Sequence, residues 1–385
     1  MILKKNQGIK IILGITYYSP NISGVSIYAR RLAEGLVSKG HEVTVITSKY
    51  RPFLSEKEII NGVQVIRCPV TFRIGKGVFM PSLPFKVFSL AKKADIINCH
   101  LPQFESFVFA VIGKILRKKV FLTHHTDLSG WKGLFNRLAE SMVWWGQLIA
   151  GVFCDKIVPY TKDYADHSWY LRLFKNKLEY ILPPILTYPV NKKFQSEIKE
   201  KIGRTVYIIG FAGRIAKQKG IPYLLNSIPF LEKKLRNFKI VFAGPYKEVI
   251  GENYYKEINE LIKKYQKRLC FLGSLREEEM SSFYSLCNVL VLPSDDRLES
   301  FGLVQVEAML NGCPVVATDL PGARMPVKMT KMGEIVKVGD PADLADKVAI
   351  VVKNPQKYKK SRKEIEKIFN YQKTITDYEK LFKTN

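Results

Sequence analysis

The 385-residue chain has no CxxC pair, no GxGxxG, no Walker loop and no run of twenty apolar residues. Each absence removes a class of protein. Six cysteines (Cys68, Cys99, Cys154, Cys270, Cys287, Cys313) lie scattered without metal-ligand spacing, which argues against a zinc module or a disulfide framework. Most sit in apolar runs and read as buried free thiols of a reducing compartment. Without a glycine-rich phosphate fingerprint, dinucleotide and P-loop nucleotide sites are unsupported. The apolar stretch 141–154 is shorter than the ~20 residues that cross a bilayer. No low-complexity tract or short-period repeat is present. With 46% hydrophobic and 12% aromatic residues, that argues against a disordered chain.

Acidic residues are scarce too, 35 against 61 basic ones, for a net charge of +26. Residues 1–195 hold 28 basic and 12 acidic side chains, a net +16; the remainder hold 33 and 23, a net +10. Such charge attracts nucleic acid, anionic lipid or phosphorylated substrates. A lysine-rich composition also produces it with no partner behind it, so charge alone selects nothing. The basic N-terminus, 1–8, precedes an apolar run, 9–16. Lys10 interrupts that run and no small-residue cleavage site follows, so a first β-strand is expected rather than a signal peptide. The expected location is cytoplasmic, soluble or peripheral at the inner face of the membrane.

The length suggests two domains, and both halves alternate strand-like and helix-like segments. In the first half, strands are expected near 10–16, 41–47, 63–68, 95–99, 120–123 and 156–159. Val25, Tyr28, Leu32 and Leu36 recur at helical spacing, with Gly40 as a stop. In the second half, strands are expected near 206–211, 239–243, 269–272, 289–292 and 314–317, and helices near 221–235, 253–266, 277–285, 302–310 and 342–353. The periodic pattern lapses in the Pro- and Tyr-rich segment 182–193 and the charged stretch that follows, to Arg204. This implies an α/β protein of two doubly wound domains, 1–195 and 196–385, facing across a cleft at the carboxyl ends of their strands.

Two segments carry chemistry. Glu299-Ser-Phe-Gly-Leu-Val-Gln-Val-Glu307 places two carboxylates eight residues apart around a turn that opens a short apolar helix. A helix N-terminus has unpaired N–H groups and partial positive charge, a natural seat for phosphate. Carboxylates on either side suit the hydroxyl groups that flank a diphosphate in a nucleotide-sugar. The plain alternative is a helix with a solvated Glu at each end. The second segment, Phe211-Ala-Gly213-Arg214-Ile-Ala-Lys217-Gln-Lys219-Gly220, follows the first strand of the second half. It brings Arg214 and Lys219, one a bidentate phosphate ligand and the other a point charge, to a strand end.

In order and spacing the whole chain resembles the retaining glycosyltransferases of family 4, which have the GT-B fold. Phosphatidylinositol mannosyltransferase-like and lipid-linked polysaccharide transferases share this layout. The resemblance rests on Ser23-Gly24-Val25, Asp95-Ile-Ile-Asn-Cys-His100, Thr123-His-His125-Thr126, Gly213-Arg214 with Lys219-Gly220, and Phe271-Leu-Gly273. Val291-Leu-Pro-Ser294 and Glu299 to Glu307 with Gly312-Cys-Pro-Val-Val complete it. It implies transfer of a hexosyl unit from a nucleotide diphosphate-sugar with retention of configuration and no metal or other cofactor. By the same resemblance, Arg214 and Lys219, after Gly213, would neutralise the diphosphate. N–H groups at Phe301 and Gly302 would hold its β-phosphate. Glu307 would bind the ribose and Glu299 the transferred sugar. His125 would touch that sugar from the acceptor side. Gly24 would let the first loop approach the diphosphate without a Cβ clash. His124 is expected to be packed, and His100 is an acceptor-side candidate or a polar strand cap. Many relatives have two glycines at the first loop, whereas Ser23 precedes Gly24 here. Asp295-Asp296 reads as a metal pair or, better, as a solvated loop.

The acceptor is expected to be lipid-linked or a glycan. Arg73, Lys76 and Lys86 lie in the aromatic-rich stretch 72–88. Cations also punctuate 106–120, and Trp131, Trp144 and Trp145 sit in or near another apolar segment. Basic residues beside aromatics suit an anionic membrane interface; no specific nucleic acid is implied. The last helix, about 361–383, is expected to pack back on the N-terminal domain. Two other readings stay open: a non-hydrolysing UDP-sugar epimerase, and a non-enzymatic basic membrane or nucleic-acid adaptor on a transferase-like fold.

Overall fold

A computed structural model describes residues 8–75, 77–128, 134–246 and 254–384. Fifteen strands occur among them: β1 Lys10–Gly14, β2 Glu42–Lys49, β3 Lys57–Ile60, β4 Val63–Pro69, β5 Phe72–Ile74, β6 Gly77–Phe79, β7 Ile96–Leu101, β8 Lys119–His124, β9 Lys156–Val158, β10 Tyr207–Ala212, β11 Phe238–Ala243, β12 Leu269–Gly273, β13 Val289–Leu292, β14 Val315–Thr318 and β15 Gly333–Val336. The chain divides into two compact units, 1–184 with 371–385, and 185–370.

The first unit is built on a seven-stranded sheet in the order β3-β4-β2-β1-β7-β8-β9. All its pairings are parallel except β3 on β4. The second unit holds a six-stranded, wholly parallel sheet in the order β12-β11-β10-β13-β14-β15. Leaving aside the antiparallel edge strand, both sheets start in the middle, run outward to one side, then return to build the other. The reversal falls between β1 and β7 in one and between β10 and β13 in the other. Such switch points leave a crevice beyond the carboxyl ends of the strands, where doubly wound sheets take ligands. The central strands are buried on both faces, which is why they read as continuous apolar runs rather than alternating ones.

The sequence marks every central strand. It misses β3, the hairpin β5–β6 and β15, which lie at an edge or are only part-buried. The helix expected at 221–235 is two, Ile221–Asn226 and Ile228–Lys234, because Pro222 and Pro229 each open a new first turn. The linker expected up to Arg204 contains a helix, Lys192–Ile202. Asn191 caps it by accepting from the Phe194 N–H at 3.1 Å, and Gly203 ends it at φ +77°. Only Ile198 and Ile202 of that helix are buried, too few for a period to emerge. It is tied to helix Glu277–Tyr284 and the residue after it: Asn191 N donates to Ser282 Oγ at 2.9 Å and Gln195 Nε2 to Ser285 Oγ at 2.9 Å. The division between units accordingly falls at Pro184/Ile185, ahead of the expected 195/196.

The segment 361–383 is likewise not one helix. Arg362–Ile368 belongs to the second unit and Tyr371–Lys383 to the first. The latter docks on helix Gly24–Ser38. Ile375 occupies the space that a β-carbon on Gly35 would need, with its Cδ1 2.5 Å from that position. The Tyr371 hydroxyl donates to the Arg31 carbonyl at 2.8 Å, and the Tyr28 and Tyr378 hydroxyls share a 2.6 Å hydrogen bond. Ile375→Ala should destabilise the first unit by about 2–4 kcal/mol, the usual cost of emptying a fully buried aliphatic site. Urea unfolding measures it.

Candidate active site

In the second unit, β10 ends at Ala212 and the chain turns through Gly213 at φ +141°. A β-carbon on Gly213 would meet nothing nearer than the Phe211 ring at 3.8 Å, so the surface beyond it is open. The 3₁₀ turn Lys217–Lys219 follows and closes at Gly220, in the left-handed region at φ +61°. A β-carbon there would stand 1.9 Å from the Pro293 carbonyl oxygen. Only glycine lets this turn seat against the end of β13. That seating brings the Lys219 ammonium onto the Glu299 carboxylate, which also accepts from Ser294 Oγ at 3.5 Å.

From Glu299 the chain passes through Ser300 and Phe301, both buried, to Gly302 at φ +73° and then into helix Leu303–Leu310. A β-carbon on Gly302 would lie 2.7 Å from Leu292 Cδ2. Gln305, fully buried, staples the turn: its Nε2 donates to the Phe301 and Ala323 carbonyls at 2.7 Å each. Phe301 lies edge-on to Phe369. The first N–H groups of a helix have no intrahelical acceptor, so this start presents donors and positive potential. Glu307 stands about one turn into the helix. Tyr284, on the neighbouring helix Glu277–Tyr284, donates its hydroxyl to Glu307 Oε2 at 3.0 Å. Asp296 closes a turn instead of meeting further ligands. It accepts from the Leu298 N–H through its side chain and from the Glu299 N–H through its carbonyl. Among the described residues no three of His, Cys, Asp and Glu converge as a metal would require.

In the first unit, the two candidate histidines meet. His100, near the end of β7, and His125, just past β8, share a 2.8 Å bond between His100 Nδ1 and His125 Nε2. The other His125 nitrogen, Nδ1, bonds the Tyr160 hydroxyl. Tyr28 packs edge-on against the His125 ring with centroids 4.9 Å apart, and stacks on Tyr160 at 5.4 Å. Its hydroxyl partner, Tyr378, also bonds Thr123 Oγ1 at 3.1 Å. Burial pushes His100 down to about 3, and burial with the neighbouring His100 takes His125 well below the imidazole range. His124 is packed, stacked on Tyr170 at 5.2 Å with Nε2 3.3 Å from Asp127 Oδ1. Gly24 opens its helix, and a β-carbon there would touch nothing within 4 Å. Ser23 is the N-cap. It exchanges hydrogen bonds with Ser26 in both directions.

Sequence reasoning missed Tyr284, Tyr28, Tyr160 and Tyr378, since a single tyrosine at a helical or strand position carries the same signal as any core aromatic. It also missed Glu105. This carboxyl is buried ahead of helix Ser106–Ile115 and pushed up to about 7 by desolvation. Of the cations in the aromatic-rich stretch 72–88, Arg73 bonds the Tyr50 carbonyl and Lys86 the Arg67 carbonyl at 3.0 Å. Trp144 stacks on Trp169, while Trp145 is exposed. Lys76 and Trp131 lie outside the described residues.

The sequence profile described as Glycosyl transferases group 1 matches residues 192–368, and that described as Glycosyltransferase Family 4 matches 22–185. The chain belongs to glycosyltransferase family 4. It is 28% identical over 350 residues to an uncharacterised glycosyltransferase of Methanocaldococcus jannaschii, 87% of each chain. It is 23% identical over 335 residues to the phosphatidyl-myo-inositol mannosyltransferase of Mycobacterium leprae, 86% of this chain and 84% of that one. Among solved structures, Anabaena HepE in complex with UDP and glucose superposes with a TM-score of 0.79 at 18% identity, over 98% of this chain and 100% of that one. The two sheets are therefore the paired Rossmann-like sheets of the GT-B fold, and the enzyme transfers sugar units. No helix among the described residues is long and apolar enough to cross a membrane.

The buried His100 and His125 imidazoles of this glycosyltransferase have lowered folded-state pKa values, so the unfolded chain binds more protons below about pH 6.5. Stability is complete above that pH and falls as pH drops toward the folded values. The thermal midpoint should decrease from pH 7 to pH 5, and less steeply in His100→Gln, as followed by differential scanning calorimetry.

Proposed function

We propose that the enzyme moves a hexosyl unit from a nucleotide diphosphate-sugar to a lipid-linked or glycan acceptor, with retention of configuration and without a metal. The observation that carries this reading is the second-unit cluster. Lys219 lies against Glu299, the helix start at Gly302 follows, and Tyr284 orients Glu307 about one turn into that helix. A ligand with a diphosphate between two sets of hydroxyls fits that series. Arg214 and Lys219 neutralise the diphosphate, the N–H groups at Phe301 and Gly302 hold its β-phosphate, Glu307 takes the ribose and Glu299 the sugar. Charge stabilisation at a leaving group is commonly the largest catalytic term. As the bond from the anomeric carbon to the β-phosphate oxygen breaks, the acceptor oxygen attacks from the same face. Its proton passes to the departing phosphate oxygen, so no protein nucleophile is required. HepE, solved with UDP and glucose, is consistent with such a donor.

Membrane contact is supported by helix Leu134–Phe153. Leu138, Met142, Trp145, Ile149 and Val152 recur at spacings of four and three and are all exposed, Trp145 at 63%. An exposed aromatic and aliphatic stripe on a chain of net charge +26 suits an anionic lipid surface. Two copies of so basic a chain repel instead.

Purified protein with UDP-, GDP- and ADP-sugars, with and without a bacterial lipid extract, tests the reaction. Glu307→Ala should lower kcat/KM about 100-fold, equivalent to roughly 2.7 kcal/mol, and EDTA should leave transfer unchanged. NMR of the product's anomeric centre should report retention; an epimerised nucleotide-sugar would move the assignment to the epimerases. No binding and no turnover of any donor would leave the adaptor reading in front. Separately, Trp145→Glu should reduce co-sedimentation with phosphatidylglycerol vesicles about tenfold at low salt.

A further inference from the structure

Cys287 and Cys313 have no part in the sugar-transfer chemistry, yet they meet inside the second unit. Cys287 follows helix Glu277–Tyr284 and leads into β13; Cys313 follows helix Leu303–Leu310 and leads into β14. Both are buried, and both are free thiols. Each is held by a neighbouring carbonyl: Cys287 Sγ donates to Phe283 at 3.3 Å and Cys313 Sγ to Pro314 at 3.4 Å. Gly210 of β10 leaves the room that the Cys287 sulfur fills, since a β-carbon there would stand 2.5 Å from it. The two thiols also hydrogen-bond each other.

The backbone agrees with that contact. β13 and β14 are parallel neighbours with Leu290 opposite Val315, and the Leu290 N–H donates to the Pro314 carbonyl at 2.8 Å. Carried back past the strand starts, this register sets the two cysteine Cα atoms about 6 Å apart, from strand spacing and rise. Disulfides span Cα separations of about 4.4–6.8 Å. Cys287 is 7% exposed and Cys313 1%, so a small oxidant arriving from solvent meets Cys287 first. Burial, with the Cys313 thiol beside it, pushes the Cys287 thiol well up, so thiolate is scarce and the reaction is slow.

We propose that Cys287 and Cys313 are a peroxide-responsive pair whose disulfide staples the segment that carries the charged site residues. The Cys287 sulfur attacks the O–O bond of hydrogen peroxide, keeps one oxygen as a sulfenic acid and releases the other as water. Cys313 then attacks that sulfur. The S–S bond forms, the S–O bond breaks, and the hydroxyl leaves with the Cys313 proton as a second water. Two thiols thus give two electrons to one peroxide. The loop so closed, 287–313, contains Ser294, Glu299, the Gly302 turn and Glu307. The cross-link stands ahead of β13 and β14, whereas Glu299 and Gly302 follow the carboxyl end of β13. It therefore ties the segment at its base and leaves the ligand-facing atoms alone. It also spares Cys287, because a sulfenic acid in contact with a thiol condenses with it instead of taking up a second oxygen.

The test uses the full chain carrying Cys270→Ser, because Cys270 alone among the six cysteines is less than fully buried. Trypsin cuts after Arg297, between the two thiols. After treatment with hydrogen peroxide, a non-reducing digest should contain peptide 277–297 linked to peptide 298–324. The intact mass should fall by about 2 Da and return with dithiothreitol. The thermal midpoint of the linked form should lie about 5–10 °C above that of the reduced form. Adding Cys313→Ser should remove the link and leave Cys287 about 32 Da heavier, as a sulfinic acid that dithiothreitol does not reverse. Thiols that stay free, oxygen gained at Cys287 while Cys313 is present, a link to any other cysteine, or a linked form that melts below the reduced one would overturn the proposal. None of these readings requires turnover, so the outcome is separate from that of the transfer assay.

Discussion

Gly220 has no room for a β-carbon, because the Pro293 carbonyl occupies the place where one would stand. This close approach of two backbone segments is the constraint on which the second unit's site depends. It seats the 3₁₀ turn of Lys217–Lys219 against the end of β13, and so carries a lysine from one side of the switch point to a glutamate from the other. Gly302, one loop later, packs on the Leu292 side chain at the end of the same strand. Two left-handed glycines thus set the cation, the carboxylate and the helix start relative to one another.

The first unit reaches order by a different route. Its polar groups are buried in an aromatic shell, and their hydrogen bonds run from Asn98 and Thr123 through Tyr378 to Tyr28, whose ring packs on the His100–His125 pair. Inside a low-dielectric core such bonds strengthen one another, and each unmet partner is costly. The second unit relies on backbone geometry and a part-buried ion pair, the first on a buried network of hydrogen bonds.

Much of this was legible in the chain. Runs such as Val289–Leu292 and Val315–Thr318 announce a buried parallel sheet, and Gly213-Arg214, Lys219-Gly220, Glu299 and Glu307 stand out because charge and glycine at strand ends have few structural uses. What the residues withhold is pairing. Nothing in the string says that Lys219 lies on Glu299, or that His125 uses both ring nitrogens on His100 and Tyr160, since those partners are 80, 25 and 35 positions apart. Tyr284 beside Glu307 is hidden for the same reason. Helix Lys192–Ile202 is hidden for another: its apolar stripe is two residues wide, and lysine-rich helices and linkers have the same composition. The break at Phe369–Asn370 carries no proline or glycine, so a period that restarts looks like one that continues.

The first unit is not contiguous in the chain. Its last helix, Tyr371–Lys383, comes from the far end of the sequence, after the whole of 185–370. A ribosome delivers residues in order, and domains generally fold as they emerge. The first unit is therefore completed only after the second. Until residues 371–383 emerge, the groove over Gly35 lacks Ile375, and the Tyr28 hydroxyl lacks Tyr378. The second unit, made of one uninterrupted stretch, has all its own strands by then. A chain unfinished or clipped before Tyr371 would keep an intact second unit with a first unit whose apolar groove is open, a form suited to recognition by chaperones and proteases rather than to catalysis.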